Sequence, residues 1–248
     1  MQSLAGKKVV VVGASMGVGR AIVLAAHREG AEILAVARGA DALDELAAEL
    51  PGVKTLAADA TLPETPGLIL RAMAPDVVVL SAGAMPPTRS FYMQDWDEFS
   101  TNWNIDVKAS YLICKAAIET PFPRGAAVIL ISSGAGIGGS PISGGYAGAK
   151  RMQMFLAKYG QREAERLGLD LRFLAIAPGS IMPQTRLGAA AVAAYARSLN
   201  VSPEAFVAGF KEPPTPEDIA RAVVDFASGR TTGTGAYLAK ANRVEAVA

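Results

Sequence analysis

The chain has 248 residues, of which 51% are apolar, and its 24 basic and 23 acidic residues leave a formal net charge of +1. This length suits one large α/β domain with a buried core, and the balanced charge argues against a nucleic-acid-binding surface. The single cysteine excludes an intrachain disulfide framework and is compatible with a reducing compartment, so we expect a cytoplasmic protein.

No part of the sequence has the character of a membrane segment or a metal site. Two lysines precede the apolar run 9–12, as in a signal peptide, but the run ends at Gly13 and Arg20 follows. No apolar run approaches the roughly 20 residues that cross a bilayer. One histidine excludes a His-rich metal site. The sequence therefore predicts neither a membrane partner nor a bound metal.

Short apolar runs alternate with amphipathic helical patterns along the chain. Strands are predicted at residues 7–12, 32–37, 53–57, 76–80, 127–131, 170–176 and 236–238. Helices are predicted at residues 17–29, 40–50, 95–118, 145–167 and 216–227. The strands are almost continuously apolar, which is typical of strands covered on both faces. The alternation predicts a single α/β domain over residues 1–248, with a doubly wound Rossmann-type fold of about seven parallel strands and helices on both faces.

Three helical stretches carry further detail. We expect the stretch 95–118 to break into two helices. Residues 215–218 read Thr-Pro-Glu-Asp, which gives an N-cap, a proline at the first helical position and acid in the first turn. The Ala-rich segment 185–210 lies outside the alternation and predicts one or two extra helices, which we interpret as a lid over a substrate pocket.

A glycine-rich turn lies between the first predicted strand and the first predicted helix. Closely spaced glycines let the chain turn sharply and let phosphates approach backbone amides, and the following helix points its N-terminus at a pyrophosphate. The predicted dinucleotide-binding residues of this turn are Gly13, Ser15, Met16, Gly17, Val18 and Gly19. The spacing G-x-x-x-G-x-G differs from the commoner G-x-G-x-x-G fingerprint. For this motif alone, a tight strand–helix turn without a ligand is the alternative.

The end of the second predicted strand bears on the choice of cofactor. An acidic residue there would bind the adenosine ribose and favour NAD, but residues 36–38 read Val-Ala-Arg. Arg38 can pair with a 2′-phosphate, so the sequence favours NADP over NAD. The alternative is an ordinary solvated arginine at a strand end.

Two further segments at the predicted carboxyl edge of the sheet are candidates for the cofactor site. Asp59 follows the third predicted strand and can accept a hydrogen bond from the adenine amino group, although an ordinary turn residue would look the same. Ala82 and Gly83 follow the fourth predicted strand, at the edge where this architecture places ligands. We therefore include all three residues in the predicted cofactor site.

Tyr146 and Lys150 lie one helical turn apart, and Ser133 precedes the tyrosine by thirteen residues. A phenol and an ammonium at positions i and i+4 share one face of a helix. The cation stabilises a phenolate and lowers a tyrosine pKa from its usual value of about 10. Such a side chain can give or take the proton of an alcohol oxygen near neutral pH. A surface pair on an ordinary helix is the alternative, and the convergence with the serine and the glycine turn argues against it.

In combination, these motifs resemble the short-chain dehydrogenase/reductase family, in its compact single-domain branch. The resemblance covers nearly the whole chain and rests on Gly13-x-x-x-Gly17-x-Gly19, Ser81–Ala82–Gly83, Ser133, Tyr146-x-x-x-Lys150 and Pro178–Gly179. It implies a sheet of seven parallel strands with NAD(P) across their carboxyl ends. It also implies a homodimer or homotetramer built on two long helices, which correspond here to residues 106–118 and 145–167.

The resemblance further implies a role for each matching residue. Tyr146 matches the acid/base of the family, Lys150 the lysine that tunes it and bonds the nicotinamide ribose, and Ser133 the serine that orients the substrate oxygen. Pro178 and Gly179 match the turn beside the nicotinamide. Thr185 matches the residue that reaches the nicotinamide carboxamide.

The sequence departs from the family pattern at three places. Val12 stands where the family usually has threonine, and residues 80–83 read Leu-Ser-Ala-Gly where the family usually carries asparagines. The fourth catalytic position, usually asparagine, falls on Asp106, and Asn104 would need a helical offset to replace it. An ionised aspartate accepts hydrogen bonds but cannot donate them. A proton relay through this position is therefore either altered or kept with Asp106 as an acceptor.

Together these residues predict an NADP-dependent oxidoreductase with Tyr146 as acid/base. It would transfer a hydride between nicotinamide and the carbonyl or secondary alcohol of a small to medium apolar substrate, with Met85 and Met182 as candidates for the pocket. One alternative is a cofactor-binding protein with little catalysis, such as a sensor or scaffold. Another is epimerisation or dehydration through transient hydride transfer, but relatives with that chemistry usually have a longer substrate domain.

Overall fold

In the computed structural model, which describes residues 3–120, 122–210 and 212–247, eight strands form one sheet. The strands are β1 (Lys8–Val12), β2 (Glu32–Ala37), β3 (Lys54–Ala57), β4 (Val77–Leu80), β5 (Ala126–Ile131), β6 (Leu171–Pro178), β7 (Gly235–Ala239) and β8 (Val244–Ala246). Their order across the sheet is β3-β2-β1-β4-β5-β6-β7-β8. Every neighbouring pair is parallel except β7 and β8.

Helices connect the strands on both faces of the sheet. They are α1 (Gly17–Arg28), α2 (Ala40–Glu49), α3 (Thr65–Ala72), α4 (Trp96–Asn102), α5 (Lys108–Glu119), α6 (Ala135–Gly138), α7 (Tyr146–Arg166), α8 (Arg186–Leu199), α9 (Pro203–Ala208) and α10 (Pro216–Ser228). A 3₁₀ turn at Phe91–Met93 precedes α4, and a π-helical turn at Trp103–Val107 joins α4 to α5. Such π turns are rare and often occur at functional sites.

The strand order reverses between β1 and β4. Strand β1 pairs with β2 on one side and with β4 on the other, because the chain crosses back over the sheet after β3. Open parallel sheets bind ligands in the crevice at such a reversal, outside the carboxyl ends of the strands. The turns that follow β1 and β4 therefore lie side by side where a ligand would bind.

Side chains of the apolar strands pack alternately into two cores, one on each face of the sheet. In β1, Val9 and Val11 contact the core on one face, whereas Val10 and Val12 contact the core on the other. Helices α1, α2 and α10 cover the first face, and α3, α5 and α7 cover the second. Because the strand is buried on both faces, every position must be apolar, which explains the continuous valine run.

The predicted doubly wound fold is confirmed, with corrections in detail. The described residues contain eight strands rather than about seven, since β8 adds a short antiparallel strand at one edge. The sequence prediction missed α3 and the short α6. The stretch 95–118 forms two helices, as predicted, but they are joined by the π turn without a break.

The segment 185–210 forms α8 and α9, and its role as a lid remains a prediction. Within the described ranges, no helix is both long enough and apolar enough to span a bilayer. The same ranges contain no cluster of three or more metal-binding side chains.

Candidate active site

The carboxyl ends of the central strands open into a cleft of about 890 Å³. It is lined by every predicted catalytic and cofactor-binding residue except Gly19. The topology therefore brings together residues that lie up to about 170 positions apart in the sequence, from Gly13 to Thr185.

The glycine turn after β1 allows the backbones of two neighbouring turns to touch. Gly13 has a φ of 88°, and a Cβ on it would lie 2.4 Å from the Ala82 nitrogen. A Cβ on Gly19 would lie 1.9 Å from the Gly13 carbonyl oxygen. Gly13 therefore has to be glycine for conformation and space, whereas Gly19 lets α1 pack on the turn without lining the cleft.

The N-terminus of α1 faces the cleft with free backbone donors. Its N-cap residue Met16 makes no side-chain capping hydrogen bond, and the first turn contains no acidic residue. Met16, Gly17 and Val18 line the cleft beside Ser15. Uncapped amides and the positive end of a helix dipole suit an anion, so this terminus can hold a phosphate group.

Arg38 and Asp59 line the far end of the cleft, after β2 and β3. Arg38 is exposed. Oδ1 of Asp59 accepts hydrogen bonds from the backbone nitrogen and the hydroxyl of Thr61, both at 2.8 Å. The hydrogen bonds from Thr61, with a smaller contribution from Arg38, hold the pKa of Asp59 below its usual value. The carboxylate is thus ionised and fixed, with the Arg38 guanidinium close enough to interact electrostatically.

Ser133 and Tyr146 both line the cleft. Ser133 follows β5, and its Oγ accepts a hydrogen bond from the Ala135 nitrogen at 3.2 Å. Since a hydroxyl also carries a donor, the Ser133 proton remains available to a substrate oxygen. Tyr146 begins α7 and is 8% exposed. Among the described residues its hydroxyl has no hydrogen-bond partner, and the residue lines the cleft.

Lys150 lies one turn further along α7 and is buried. Its Nζ is 3.2 Å from Oδ2 of Asp106, donates to the carbonyl of Ile131 at 3.2 Å, and lies 5.5 Å from the centre of the Tyr146 ring. Burial acts to lower the pKa of Lys150, but the negative charge of Asp106 and the interaction with Tyr146 outweigh it and raise that pKa. The lysine is therefore a charged ammonium beside the phenol.

The π turn presents Asp106 to the lysine from the neighbouring helix. Its Oδ1 accepts a hydrogen bond from the Ala84 nitrogen at 2.8 Å and another from the Asn102 side chain at 3.3 Å. A Cβ on Gly83 would lie 2.8 Å from Oδ2 of Asp106. The turn after β4 therefore needs a glycine at this position to accommodate the carboxylate.

Asn104 does not take the place of Asp106. It is exposed, and its amide donates to the Ser100 hydroxyl at 3.2 Å, on the outside of the helix. Asp106, which is fully buried, lies next to Lys150. Asp106, the position reached by counting back from Ser133, thus lines the cleft, and its catalytic role remains a prediction.

Two residues that the sequence analysis missed support the site. The Asn102 amide also donates to the Ala84 carbonyl at 3.0 Å, so this residue braces the turn after β4. The Ser132 hydroxyl donates to the carbonyl of Lys150 at 2.7 Å and fixes α7 against β5. The pair Ser132–Ser133 could have suggested one serine for structure and one for chemistry, whereas nothing in the sequence marks Asn102.

The opposite side of the cleft is formed after β6. The Gly179 nitrogen donates to the Ala239 carbonyl, and the Pro178 carbonyl accepts from the Gly134 nitrogen, both at 2.8 Å. The Thr185 hydroxyl accepts from the Gly188 nitrogen at 2.9 Å and donates to the Met182 carbonyl at 3.0 Å. Thr185 therefore caps α8, and its reach towards a carboxamide remains a prediction.

Aromatic side chains from α8, from α9 and from the residues just after α9 close the remaining side of the cleft. Tyr195 stacks on Phe206 with ring centres 5.8 Å apart, and Phe206 meets Phe210 edge-on at 5.1 Å. All three rings line the cleft. The Tyr195 hydroxyl shares a hydrogen bond with the Ser140 hydroxyl at 2.7 Å. This side can bind an apolar group beside the Tyr146 hydroxyl.

The residues present fit a dinucleotide. A Cβ on Gly17, which lines the cleft, would meet nothing within 4 Å, and α1 offers uncapped donors without an opposing acid. Arg38 supplies a cation at the end of the cleft that lies away from Tyr146. The donor set therefore suits a ligand with phosphates near α1 and a reactive end near Ser133.

Comparison with known proteins connects this geometry to a family. A model of the family described as short chain dehydrogenase matches residues 7–194. An L-xylulose reductase from Mesocricetus auratus is 31% identical over 132 residues, covering 52% of this chain and 54% of that protein. The chain thus spans about half the length of the L-xylulose reductases that it matches. The 3-oxoacyl-[acyl-carrier-protein] reductase FabG from Rickettsia prowazekii is 29% identical over 184 residues, 73% of this chain and 75% of that protein.

Among solved structures, a short chain dehydrogenase from Shigella flexneri superposes with a TM-score of 0.73 at 20% identity, covering 92% of this chain and 88% of that chain. At this identity the likeness establishes the fold alone. The family match, by contrast, covers more than half of the chain and includes the glycine turn, Ser133, Tyr146 and Lys150. The chain therefore belongs to the short chain dehydrogenase family of oxidoreductases.

Proposed function

We propose that the chain is an NADP-dependent oxidoreductase that interconverts the carbonyl and secondary alcohol forms of a small to medium apolar substrate. The observation that carries the proposal is the single cleft that holds both the uncapped N-terminus of α1 and the side chains of Ser133, Tyr146 and Lys150. Two similar proteins carry names that denote carbonyl reduction, an L-xylulose reductase and a 3-oxoacyl-[acyl-carrier-protein] reductase.

The cofactor would lie along the carboxyl ends of the strands. The amides at the start of α1 would bind its pyrophosphate, and Pro178, Gly179 and Thr185 would flank the nicotinamide. Arg38 would pair with the 2′-phosphate, because a guanidinium binds phosphate through two charge-assisted hydrogen bonds. NADPH, when bound, supplies the hydride that reduces the carbonyl carbon.

Three side chains would handle the substrate oxygen. Ser133 donates a hydrogen bond to this oxygen and stabilises the negative charge that develops on it. Tyr146 transfers its hydroxyl proton to the oxygen, which completes the alcohol. Lys150, 5.5 Å from the ring centre, stabilises the phenolate that remains. In the oxidation direction, the phenolate takes the proton back.

The lining of the substrate end supports an apolar substrate. This end is formed by side chains from α8, from α9 and the residues just after it, and from the segment after β4: Met85, Pro86, Leu187, Tyr195, Phe206 and Phe210. Polar residues that also line the cleft include Ser140, Ser143, Gln184 and Arg186. Such a surface favours a compact ketone or aldehyde with an apolar body over a polyhydroxylated or multiply charged one.

We also propose that the protein is cytoplasmic.

We further propose that it forms a homodimer or homotetramer through α5 and α7. Tyr111 on α5 is 49% exposed and Tyr159 on α7 is 50% exposed. The Tyr159 ring stacks on Phe155 at 6.1 Å. Large exposed aromatic side chains on adjacent helices suit an interface between copies. Sedimentation analysis of the purified protein tests this assembly.

The function is tested by Tyr146→Phe. NADPH-dependent reduction should be screened over apolar ketones and aldehydes with wild-type protein and with this variant. We expect the variant to lose at least about 100-fold in kcat, because proton transfer by a placed acid contributes about that factor or more. Its NADPH affinity should stay within about twofold of wild type, since the ring remains.

Three results would count against the assigned roles. Loss of NADPH binding equal to the loss of turnover would make Tyr146 a cofactor-binding or folding residue. Tight NADPH binding by wild type without turnover of any carbonyl or alcohol would favour a sensor or scaffold. Product formation without stoichiometric consumption of cofactor would favour epimerisation or dehydration.

A further inference from the structure

Asp106 and Lys150 form a buried ion pair in the centre of the cleft wall. Oδ2 of Asp106 lies 3.2 Å from Nζ of Lys150, and the two side chains are only 1% and 8% exposed. Apart from Lys150, Oδ2 has no hydrogen-bond partner among the described residues, so the lysine is what balances its charge. A charge at such a depth is stable only when paired.

The ion pair limits what Lys150 can do for Tyr146. An ammonium has three protons, and here one points to Asp106 and another to the Ile131 carbonyl at 3.2 Å. One proton is left for any further partner. The direct contact also means that the positive charge near the Tyr146 ring is accompanied by a negative one of equal size.

Among the described residues, two groups act electrostatically on Lys150. The groups that act electrostatically on Lys150 are Asp106, from the π turn, and Tyr146, from its own helix. On the other side of Asp106 lie the Ala84 amide and the neutral amide of Asn102. Strand β5 contributes the Ile131 carbonyl, and Ser132, just after it, contributes a hydroxyl that donates to the backbone of Lys150.

We propose that Asp106 is a positioning residue that holds Lys150 and, by balancing part of its charge, opposes the ionisation of Tyr146. Coulomb's law gives the direction, since a carboxylate near the phenol disfavours a second negative charge there. If the proposed function holds, on which this last step rests, the site favours donation of a proton to a carbonyl near neutral pH. Alcohol oxidation, which needs the phenolate, would then require alkaline pH.

The test is a titration of Tyr146 that needs no turnover. The ultraviolet absorbance of tyrosinate is followed against pH for wild type and for Asp106→Asn, each minus the same protein carrying Tyr146→Phe. We expect the midpoint of Tyr146 ionisation to fall by about one pH unit or more when the carboxylate is removed. Circular dichroism at each pH shows that the protein stays folded.

A matched control separates charge from packing. Asn102→Ala removes a hydrogen bond to the same carboxylate without changing any charge, so the Tyr146 midpoint should stay within a few tenths of a pH unit. Should Asp106→Asn fail to fold, Asp106→Ser removes the charge with a smaller side chain and carries the same expectation. Where turnover is measured, the alkaline onset of alcohol oxidation should move in parallel with the titration.

Two results would overturn the inference. The first is an unchanged or raised Tyr146 midpoint in a folded, neutral Asp106 variant. The second is an equal fall in Asn102→Ala, which would assign the effect to packing. Absence of carbonyl reduction by wild type would contradict the proposed function instead, because the titration reports on the ion pair alone.

Discussion

At the scale of single residues, Gly83 and Asp106 show how the site depends on one missing side chain. The carboxylate lies where a Cβ on Gly83 would be, with Oδ2 only 2.8 Å from that position. Both Asp106 oxygens are engaged, one by Ala84 and Asn102 and the other by Lys150. The carboxylate therefore has little freedom to give way.

We expect Gly83→Ala to destabilise the protein and to weaken the ion pair. Forcing a methyl group into a packed site typically costs about 1–3 kcal/mol. Urea denaturation measures the change, and Gly138→Ala is the matched control, because a Cβ there meets nothing within 4 Å. Equal stability of the two variants would show that Asp106 can move aside.

The sequence could predict which residues enter the site but not how they touch. Counting back from Ser133 along the family pattern led to Asp106, which lines the cleft, and its catalytic role remains a prediction. The direct contact with Lys150 was not predictable, since spacing along the chain does not fix side-chain distances between separate helices. For the same reason Asn102, which braces Ala84 through a hydrogen bond, carried no signal.

At the scale of elements, α10 begins with a complete capping box. The Thr215 hydroxyl accepts from the Asp218 nitrogen at 3.1 Å, and the Asp218 carboxylate accepts from the Thr215 nitrogen at 2.8 Å. The start of this helix was predicted from the same residues, and the structure agrees. Partial burial acts to raise the pKa of Asp218, but hydrogen bonds from Thr215 and Arg221 outweigh it and hold the pKa low.

We expect Asp218→Ala to lower the free energy of unfolding by about 1 kcal/mol at neutral pH, as loss of a cap does. A carboxyl with a lowered folded-state pKa stabilises above its unfolded pKa, near 3.8, and loses that contribution as pH falls through the folded value. The difference from wild type should therefore shrink below about pH 4. Glu217→Ala, in the same helical turn, is the control and should change little.

The helices α8 and α9 are joined to the rest of the molecule by little polar contact. Within the described residues, one side-chain hydrogen bond links α8 to another part of the chain, and it joins the hydroxyls of Tyr195 and Ser140. The ring of Tyr195 stacks on Phe206 whether or not the hydroxyl is present. We therefore predict that this hydroxyl acts as a latch, a hydrogen bond that holds the segment over the substrate end.

Removing the Tyr195 hydroxyl should make residues 185–210 more mobile, while the ring of residue 195 continues to line the pocket. We expect Tyr195→Phe to raise the substrate KM about 3- to 10-fold, since one neutral hydrogen bond is worth roughly 1 kcal/mol. The Kd for NADPH should not change, because the latch lies away from the glycine turn. Tyr159→Phe makes the same chemical change outside the cleft and should leave KM alone. A KM equal to wild type in Tyr195→Phe would refute the latch.

Several elements escaped prediction for physical reasons. Helix α3 begins with Thr-Pro-Gly at residues 65–67, a sequence that is typical of a turn. The segment is nevertheless helical, because the helix packs Ile69 into the core. Strand β8 is three residues long and only partly buried, so it lacks an apolar pattern. The π turn needs one extra residue in a helix, and no residue type signals it. The long buried strands, by contrast, were predictable because burial on both faces imposes a continuous apolar run.

At the scale of the whole molecule, the parallel sheet brings motifs that are far apart in the sequence to one edge, where they form one site. Residues after β1, β2, β4, β5 and β6 all reach the same edge, because every crossover returns the chain in the same direction. The sequence therefore allowed the architecture, the cleft and most of its lining to be predicted together. The closure by aromatic rings from α8 and α9 required the structure, since those helices lie outside the βα alternation.

The central claim, an NADP site in this cleft, is tested most directly by equilibrium titration of the purified protein with NADPH and with NADH, followed by nucleotide fluorescence. We predict that NADPH binds at least about tenfold more tightly, because a charge-assisted pair between Arg38 and the 2′-phosphate is worth roughly 1.5–3 kcal/mol. Arg38→Ala should abolish that preference while leaving NADH affinity unchanged. Equal or tighter binding of NADH by wild type would contradict the role of Arg38, and binding of neither nucleotide would contradict the account as a whole.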